Sequence, residues 1–230
     1  MEDLEPDDSG EKDFAEGGDI TEDTDLSGVV VDNMFYNIGT DAGGYNSEEG
    51  CIVITKETSD EQMELLQGLG ISDEELQKNF TGIIFKVPAG EGTVKVTAET
   101  TGNMTLKVKV GNGKAMKMEL SGKLKMEFPY DVNEESLVYI FAGTTDESGI
   151  RGAAASEPSS LKIYGIEWSS TSPKGDVNGD GKVNVGDIMA VINVMAGVGG
   201  EAEKAAADIN GDGAVNVGDI MAVINIMAGK

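Results

Sequence analysis

Along the middle of the chain, apolar side chains recur at every second position in short runs. The alternation is strictest in Val94/Val96, Leu106/Val108/Val110, Met116/Met118/Leu120 and Leu124/Met126/Phe128, with Lys and Glu between them. A period of two puts one face of a strand in a core and the other in water, which marks antiparallel sheets. Nine runs qualify as strands: 29–38, 51–55, 82–87, 93–99, 104–110, 114–120, 123–128, 137–143 and 161–168. Gly-Asn-Gly-Lys at 111–114 and Ser-Gly-Lys at 121–123 supply hairpin turns. The predicted fold class is therefore mainly β: a jelly-roll-like β-sandwich of about nine strands.

The period changes twice. Ser59-Asp-Glu-Gln and Ser72-Asp-Glu-Glu have the spacing of capping boxes and predict short helices over 60–67 and 73–79, an insertion lying across one end of the sandwich. Segments 39–45 and 144–159 read as loops. Near the C-terminus, Val185, Ile188, Met189, Ile192 and Met195 fall at helical spacing, as do Val217, Ile220, Met221, Ile224 and Met227. Gly197 and Gly229 are natural stops, and 200–207 predicts a short linking helix. Helices of about three turns are marginal alone in water. Each stripe must then be buried against its twin, the rest of the chain or a partner.

The two C-terminal helices belong to near-identical segments 32 residues apart, DVNGDGKVNVGDIMAVINVMAG from Asp176 and DINGDGAVNVGDIMAVINIMAG from Asp208, differing at three of 22 positions. Each opens with oxygen-bearing side chains at alternate residues, a spacing that curls a short loop around a hard cation. Calcium loops draw ligands from positions 1, 3, 5, 7, 9 and 12, with glycine at 6. Those positions are Asp176, Asn178, Asp180, the Lys182 carbonyl, Asn184 and Asp187, with Gly181 at the turn. In the second copy they are Asp208, Asn210, Asp212, the Ala214 carbonyl, Asn216 and Asp219, with Gly213 at the turn. With no His, and Cys51 far away in sequence, softer metals have no ligands here. The expectation is two calcium ions. Both loops end in Asp where the EF-hand pattern has Glu, so bidentate ligation requires the following helix to sit closer to the ion.

This tandem of Asp-ending loop–helix units with a linking helix resembles the type I dockerin family. The resemblance implies a small all-α, EF-hand-like module over 171–230 that docks in a calcium-dependent way onto cohesin modules, usually to place polysaccharide-degrading enzymes in extracellular complexes. It also implies partner contact at Val185, Gly186, Ile192 and Asn193, and at Val217, Gly218, Ile224 and Asn225 in the second copy. Many family members carry Ser-Thr or a basic pair at such positions, whereas this chain is apolar and small there. The alternative is a calcium-stabilised structural or adhesin segment whose repeats pack on their own sandwich or dimerise instead of binding a cohesin.

Composition narrows the rest. The net charge of -25 argues against nucleic acid or an anionic membrane as partner. Twelve acidic residues and one Lys lie in 1–27, which reads as a disordered tail or linker, leaving 28–170 for the sandwich. One Cys allows no intramolecular disulfide, and no apolar run is long enough to span a membrane. Loops of this kind suit millimolar extracellular calcium, so an extracellular or cell-surface location is expected even though no signal peptide opens the chain. Jelly-roll modules beside dockerin-like repeats often bind carbohydrate, and LKIYGIEW at 161–168 resembles the closing strand of such modules. Sugar platforms need exposed rings, and aromatics are only 5% of the chain. Tyr45 and Trp168 are the candidates. No catalytic residues stand out: there is no Ser–His–Asp set, and no carboxylate pair is singled out. The fragment reads as non-catalytic, with a catalytic region upstream left open.

Overall fold

The computed structural model describes residues 4, 9–16, 19–66, 68–71, 73–145, 158–171 and 173–229. The chain divides into two units. The first comprises Met1–Val87, Thr93–Tyr130 and Ser136–Ser169; the second comprises Ser170–Lys230 with Pro88–Gly92 and Asp131–Glu135. In chain order the strands of the described residues are β1 Ser9–Asp13, β2 Ser27–Val31, β3 Met34–Asn37, β4 Gly43–Asn46 and β5 Cys51–Ile54. Helices α1 Asp60–Leu65 and α2 Glu74–Asn79 follow. Then come β6 Gly82–Val87, β7 Gly90–Thr101, β8 Met104–Val110, β9 Met116–Met118, β10 Leu124–Val132, β11 Ser136–Thr144 and β12 Ser160–Thr171. Helices α3 Val185–Met195, α4 Glu201–Ala206 and α5 Val217–Met227 complete the chain.

The strands form two six-stranded sheets. One runs β10-β7-β12-β5-β4, with β1 also paired to β12; the other runs β2-β3-β6-β11-β8-β9. Strand β12 has three partners: β7, β5 through Leu161–Ile163, and β1 through Gly165–Ser169. In the second sheet the register aligns Val138 with Phe85 and Val110, and Ile140 with Ile83 and Val108, so their side chains share one face. Phe85 of that face meets Trp168 of the first sheet at a ring-centroid distance of 5.0 Å. This closes the mainly β, jelly-roll-like sandwich read from the alternation.

Three sequence expectations change. First, the acidic segment 1–27 is not a disordered tail where it is described. Strand β1 lies antiparallel to β12, and Leu4, Phe14, Ile20 and Leu26 are each at most 2% exposed. Four widely spaced apolar anchors and a five-residue strand escape a composition argument but suffice to bind the segment to the sandwich.

Second, the single strand expected over 29–38 is a hairpin. Asp32 (φ 48°) and Asn33 (φ 60°) both occupy the left-handed region, as a two-residue type I′ turn demands. Asp and Asn are among the few non-glycine residues that accept it. Conversely, the loop expected at 39–45 partly forms β4.

Third, the helical insertion covers a sheet face instead of an end. Met63 and Leu66 from the α1 segment, and Leu76 and Phe80 from the α2 segment, join Ile71 and Leu4 against Phe35, Ile84, Tyr139 and Phe141 on the outer face of the second sheet. Phe80 packs edge-on to Tyr139 and Phe141, at 5.9 and 6.0 Å. Asn37 ties the insertion down by donating to the carbonyls of Gln77 and Phe80. Every residue of β8 is consequently buried, including Thr105, Lys107 and Lys109. The Ser59–Gln62 capping box forms as expected, whereas α2 is capped by Asp73, which accepts from Glu75 N–H. Most of the loop expected at 144–159 lies outside the described residues.

Candidate calcium and docking site

The second unit is organised by the two loops. In the first, Asp176 Oδ1 accepts the N–H groups of Gly179 (2.9 Å) and Asp180 (3.1 Å), and Oδ2 that of Gly181 (2.9 Å). Asp187 closes the loop: Oδ1 accepts from Val177 (2.8 Å) and Asn178 (3.2 Å), Oδ2 from Asn184 (2.7 Å). The second loop repeats the scheme atom for atom. Asp208 takes Gly211, Asp212 and Gly213, while Asp219 takes Ile209, Asn210 and Asn216. The chain can turn this tightly because Gly181 and Gly213 adopt φ of +77° and +84°.

Cage and helix start are one object. Asn184 is the N-cap of α3, its Oδ1 accepting from Gly186 N–H at 2.7 Å, and Asp187 reciprocates as the capping-box acid. Asn216 and Asp219 do the same for α5. Carboxylates here also face the positive end of the helix dipole. Both closing aspartates, Asp187 and Asp219, are fully buried. Burial raises the Asp219 carboxyl, but the amides of Asn216, Asn210 and Ile209 outweigh it and hold the group below the usual range. For Asp176 burial prevails, and the nearby charges of Asp187 and Asp180 add to it, so this carboxyl lies above the usual range.

The donor set suits a hard cation. Among the described residues no three Asp, Glu, His or Cys side chains converge as a metal set by themselves. Each loop offers three carboxylates, two Asn oxygens and one backbone carbonyl. In the first loop the Asn178 and Asn184 amides donate to Asp180 Oδ2 at 3.1 and 3.4 Å, so the side chains of positions 3, 5 and 9 meet. In the second, Asn210 donates to Asp212, and Asn216 turns to the Ala214 carbonyl at 2.9 Å. Amide N–H groups thus face oxygens that a cation would draw together, and the Asn side chains present oxygen to an ion by rotating. The Lys182 backbone sits in the same loop, its N–H donating to Asp180 Oδ1. These residues fit calcium, and none offers sulfur or imidazole.

The helices pack on each other through a narrower face than the predicted stripes. The buried residues of α3 are Asp187, Ala190 and Val191, and those of α5 are Asp219 and Val223; they pack with Val177, Ala207 and Ile209. Val185, Met189, Ile192 and Met195 stay exposed (62%, 53%, 41% and 44%), as do Val217, Met221, Ile224 and Met227 (62%, 51%, 40% and 44%). Both stripes have helical spacing, so periodicity alone does not choose between them. The smaller side chains Ala190 and Val191 allow the two helices to approach closely. Of the residues expected to meet a partner, Val185, Ile192, Asn193, Val217, Ile224 and Asn225 are exposed. Gly186 and Gly218 are half-buried, and a Cβ on either would stand 2.9 Å from the Asn178 or Asn210 amide nitrogen. Their small size serves the loop. Met189 and Met221 are central to the exposed stripes, so of the three partners the stripes could have been buried against, the twin helix is not the one that covers them.

The two candidate sugar-binding rings are not free platforms. Tyr45 lies opposite the buried Ile52, half-buried, with its hydroxyl donating to the Phe14 carbonyl at 2.9 Å. Trp168 is half-buried against Phe85 on one side and Gly10 on the other, where a Cβ would stand 2.2 Å from the indole. Cys51 is fully buried, and burial pushes its thiol up to about 11, which removes it as a nucleophile.

Residues 174–228 match the dockerin type I domain family, covering both loops and α3–α5. The C-terminal part of this chain is a dockerin type I module. No curated protein matches the chain. Among solved structures, it is similar to a family two carbohydrate esterase from Cellvibrio japonicus (11% identity, TM-score 0.33), covering 56% of this chain and 29% of that one. The apo CBM1 of BiXyn10A is similar over 73% of this chain and 100% of its own (10% identity, TM-score 0.35). The CBM22-1 xylan-binding domain of Paenibacillus barcinonensis Xyn10C is similar over 52% and 71% (9% identity, TM-score 0.24). At these values the likenesses carry no functional argument. No helix among the described residues is long and apolar enough to cross a membrane.

Proposed function

We propose that this is a non-catalytic, extracellular or cell-surface protein whose dockerin module holds two calcium ions and docks onto a cohesin-like module. In this reading the sandwich binds carbohydrate in a polysaccharide-degrading assembly. The observation that carries the docking reading is the doubled unit itself: two loops whose first and last aspartates accept the same six backbone N–H groups, each loop ordering a helix with an exposed stripe of Val, Met, Ile and Met. Calcium enters as the ion that the oxygen-only loops would hold, Asp176 through Asp187 in one and Asp208 through Asp219 in the other. The chain's own residues cap the helices and so set the direction of both stripes. Because no recognition position carries a charge and the exposed stripes are apolar, docking should depend little on salt.

The test is capture of cohesin modules in calcium and in chelator. Met189→Lys and Met221→Lys should each leave capture largely intact, because the other helix offers the same face. The double variant should lose it while keeping the heat of calcium binding. Equal capture in chelator, or by the double variant, would refute the docking reading. A calcium-dependent doubling of mass without any cohesin would favour self-association. A glycan array with the full chain tests the sandwich separately.

A further inference from the structure

The outer face of the second sheet carries an odd feature beside its apolar core. Strand β8 places Thr105, Lys107 and Lys109 on that face, with Lys109 opposite Tyr139 and Lys107 opposite Phe141. Lys107 is settled: its stem runs past Gly143, where a Cβ would stand 2.4 Å from Cε, and its Nζ reaches Asp60 at 2.7 Å. Lys109, two residues on, is only 6% exposed and has no hydrogen-bond or ion-pair partner among the described residues. A buried ammonium without a partner is costly and is kept only where something answers it. Burial lowers its proton affinity below the usual lysine range, and the charges of Glu64 and Asp60 offset this only in part.

Lys109 lines a cleft of about 360 Å³ between α1 and the β8–β9 turn, with Asp60, Met63, Glu64, Asn112 and Lys114. The charged lining is Lys109 and Lys114 with Asp60 and Glu64, and Asp60 is already engaged by Lys107, which leaves two lysines to the one carboxylate of Glu64. The cleft is also open enough for one sugar ring.

We propose that this cleft binds a carboxylate-bearing sugar, a hexuronate, with Lys109 as the anchor for its carboxylate. The rest of the lining selects that class. Glu64 offers acceptors for ligand hydroxyls, the Asn112 amide offers both a donor and an acceptor, and the Met63 side chain faces the ring's C–H surface. The carboxylates of Asp60 and Glu64 repel a dianion such as phosphate, whereas a monoanion rich in hydroxyls satisfies every group present. A neutral sugar leaves Lys109 unanswered. This site deepens the carbohydrate reading of the sandwich and rests on it for the ligand class alone.

The full chain, with labelled lysines, is titrated with sodium glucuronate, glucose and sodium acetate while the Lys109 side-chain resonance is followed by NMR, assigned through Lys109→Arg. Glucuronate should shift it saturably and move its titration midpoint upward, because a bound carboxylate favours the charged form. Glucose should do neither. Lys109→Met should weaken glucuronate binding at least about tenfold, and Lys114→Gln less. Should Lys109→Met fail to fold, the wild-type titration still decides. An acetate response equal to that of glucuronate means an adventitious ion only and overturns the proposal, as does a silent Lys109 or an unaffected Lys109→Met. If neutral polysaccharides bind the chain while glucuronate leaves Lys109 silent, this site fails and the wider carbohydrate reading stands. If no saccharide binds, both fail.

Discussion

The sandwich and the dockerin module reach order by opposite routes. The sandwich is stabilised by apolar burial on both faces of one sheet, where Phe80, Phe141 and Tyr139 stack under the helical insertion. The module buries little: its shared core centres on Ala190, Val191 and Val223, and four large apolar side chains per helix remain in solvent. What orders it is polar. Each loop converts two carboxylates into acceptors for six backbone N–H groups, at distances of 2.7–3.2 Å. A module held mainly by buried carbon tolerates changes of ions. One held by converging oxygens should not.

Chelation is the sharpest way to break that contrast. Removing calcium should unfold the module and abolish most helicity of residues 174–230, while the sandwich melts at its usual temperature. Two transitions by calorimetry, of which only the module's moves with calcium, is the expected result, since binding to the native state stabilises it by mass action. Coincident shifts of both would erase the distinction. Phe80→Ala is the mirror experiment. It should cost the sandwich about 3–5 kcal/mol through the cavity left beneath the insertion, with the calcium-dependent transition unmoved. A smaller effect follows from Gly186→Ala, whose Cβ would crowd the Asn178 amide at 2.9 Å. The overpacking should cost about 1–3 kcal/mol and weaken calcium binding at the first loop only. If docking fell while calcium affinity did not change, Gly186 would be a contact residue after all.

The loops were legible because their information is local: ligand spacing, turn glycines and caps all lie within twelve consecutive residues. The alternating strands were legible for the same reason. What escaped depends on partners distant in sequence. Thr105, Lys107 and Lys109 alternate with apolar residues as a wetted face would, and only the insertion 25 or more residues upstream turns that face inward. Likewise, Val185–Met195 is apolar almost all round, so the choice of buried side rests on the twin helix and not on its own period. The segment Ser9–Asp13 looks like linker until β12 offers it an edge.

That edge has a practical consequence for dissecting the protein. A fragment begun at residue 28, where the acidic run ends, would strip β1 from beside β12 and uncover the one indole in the chain, because Gly10 is what lies against Trp168. The truncated domain would then display a bare aromatic plane to any saccharide offered to it. Affinity measured on such a fragment would report the cut rather than the molecule.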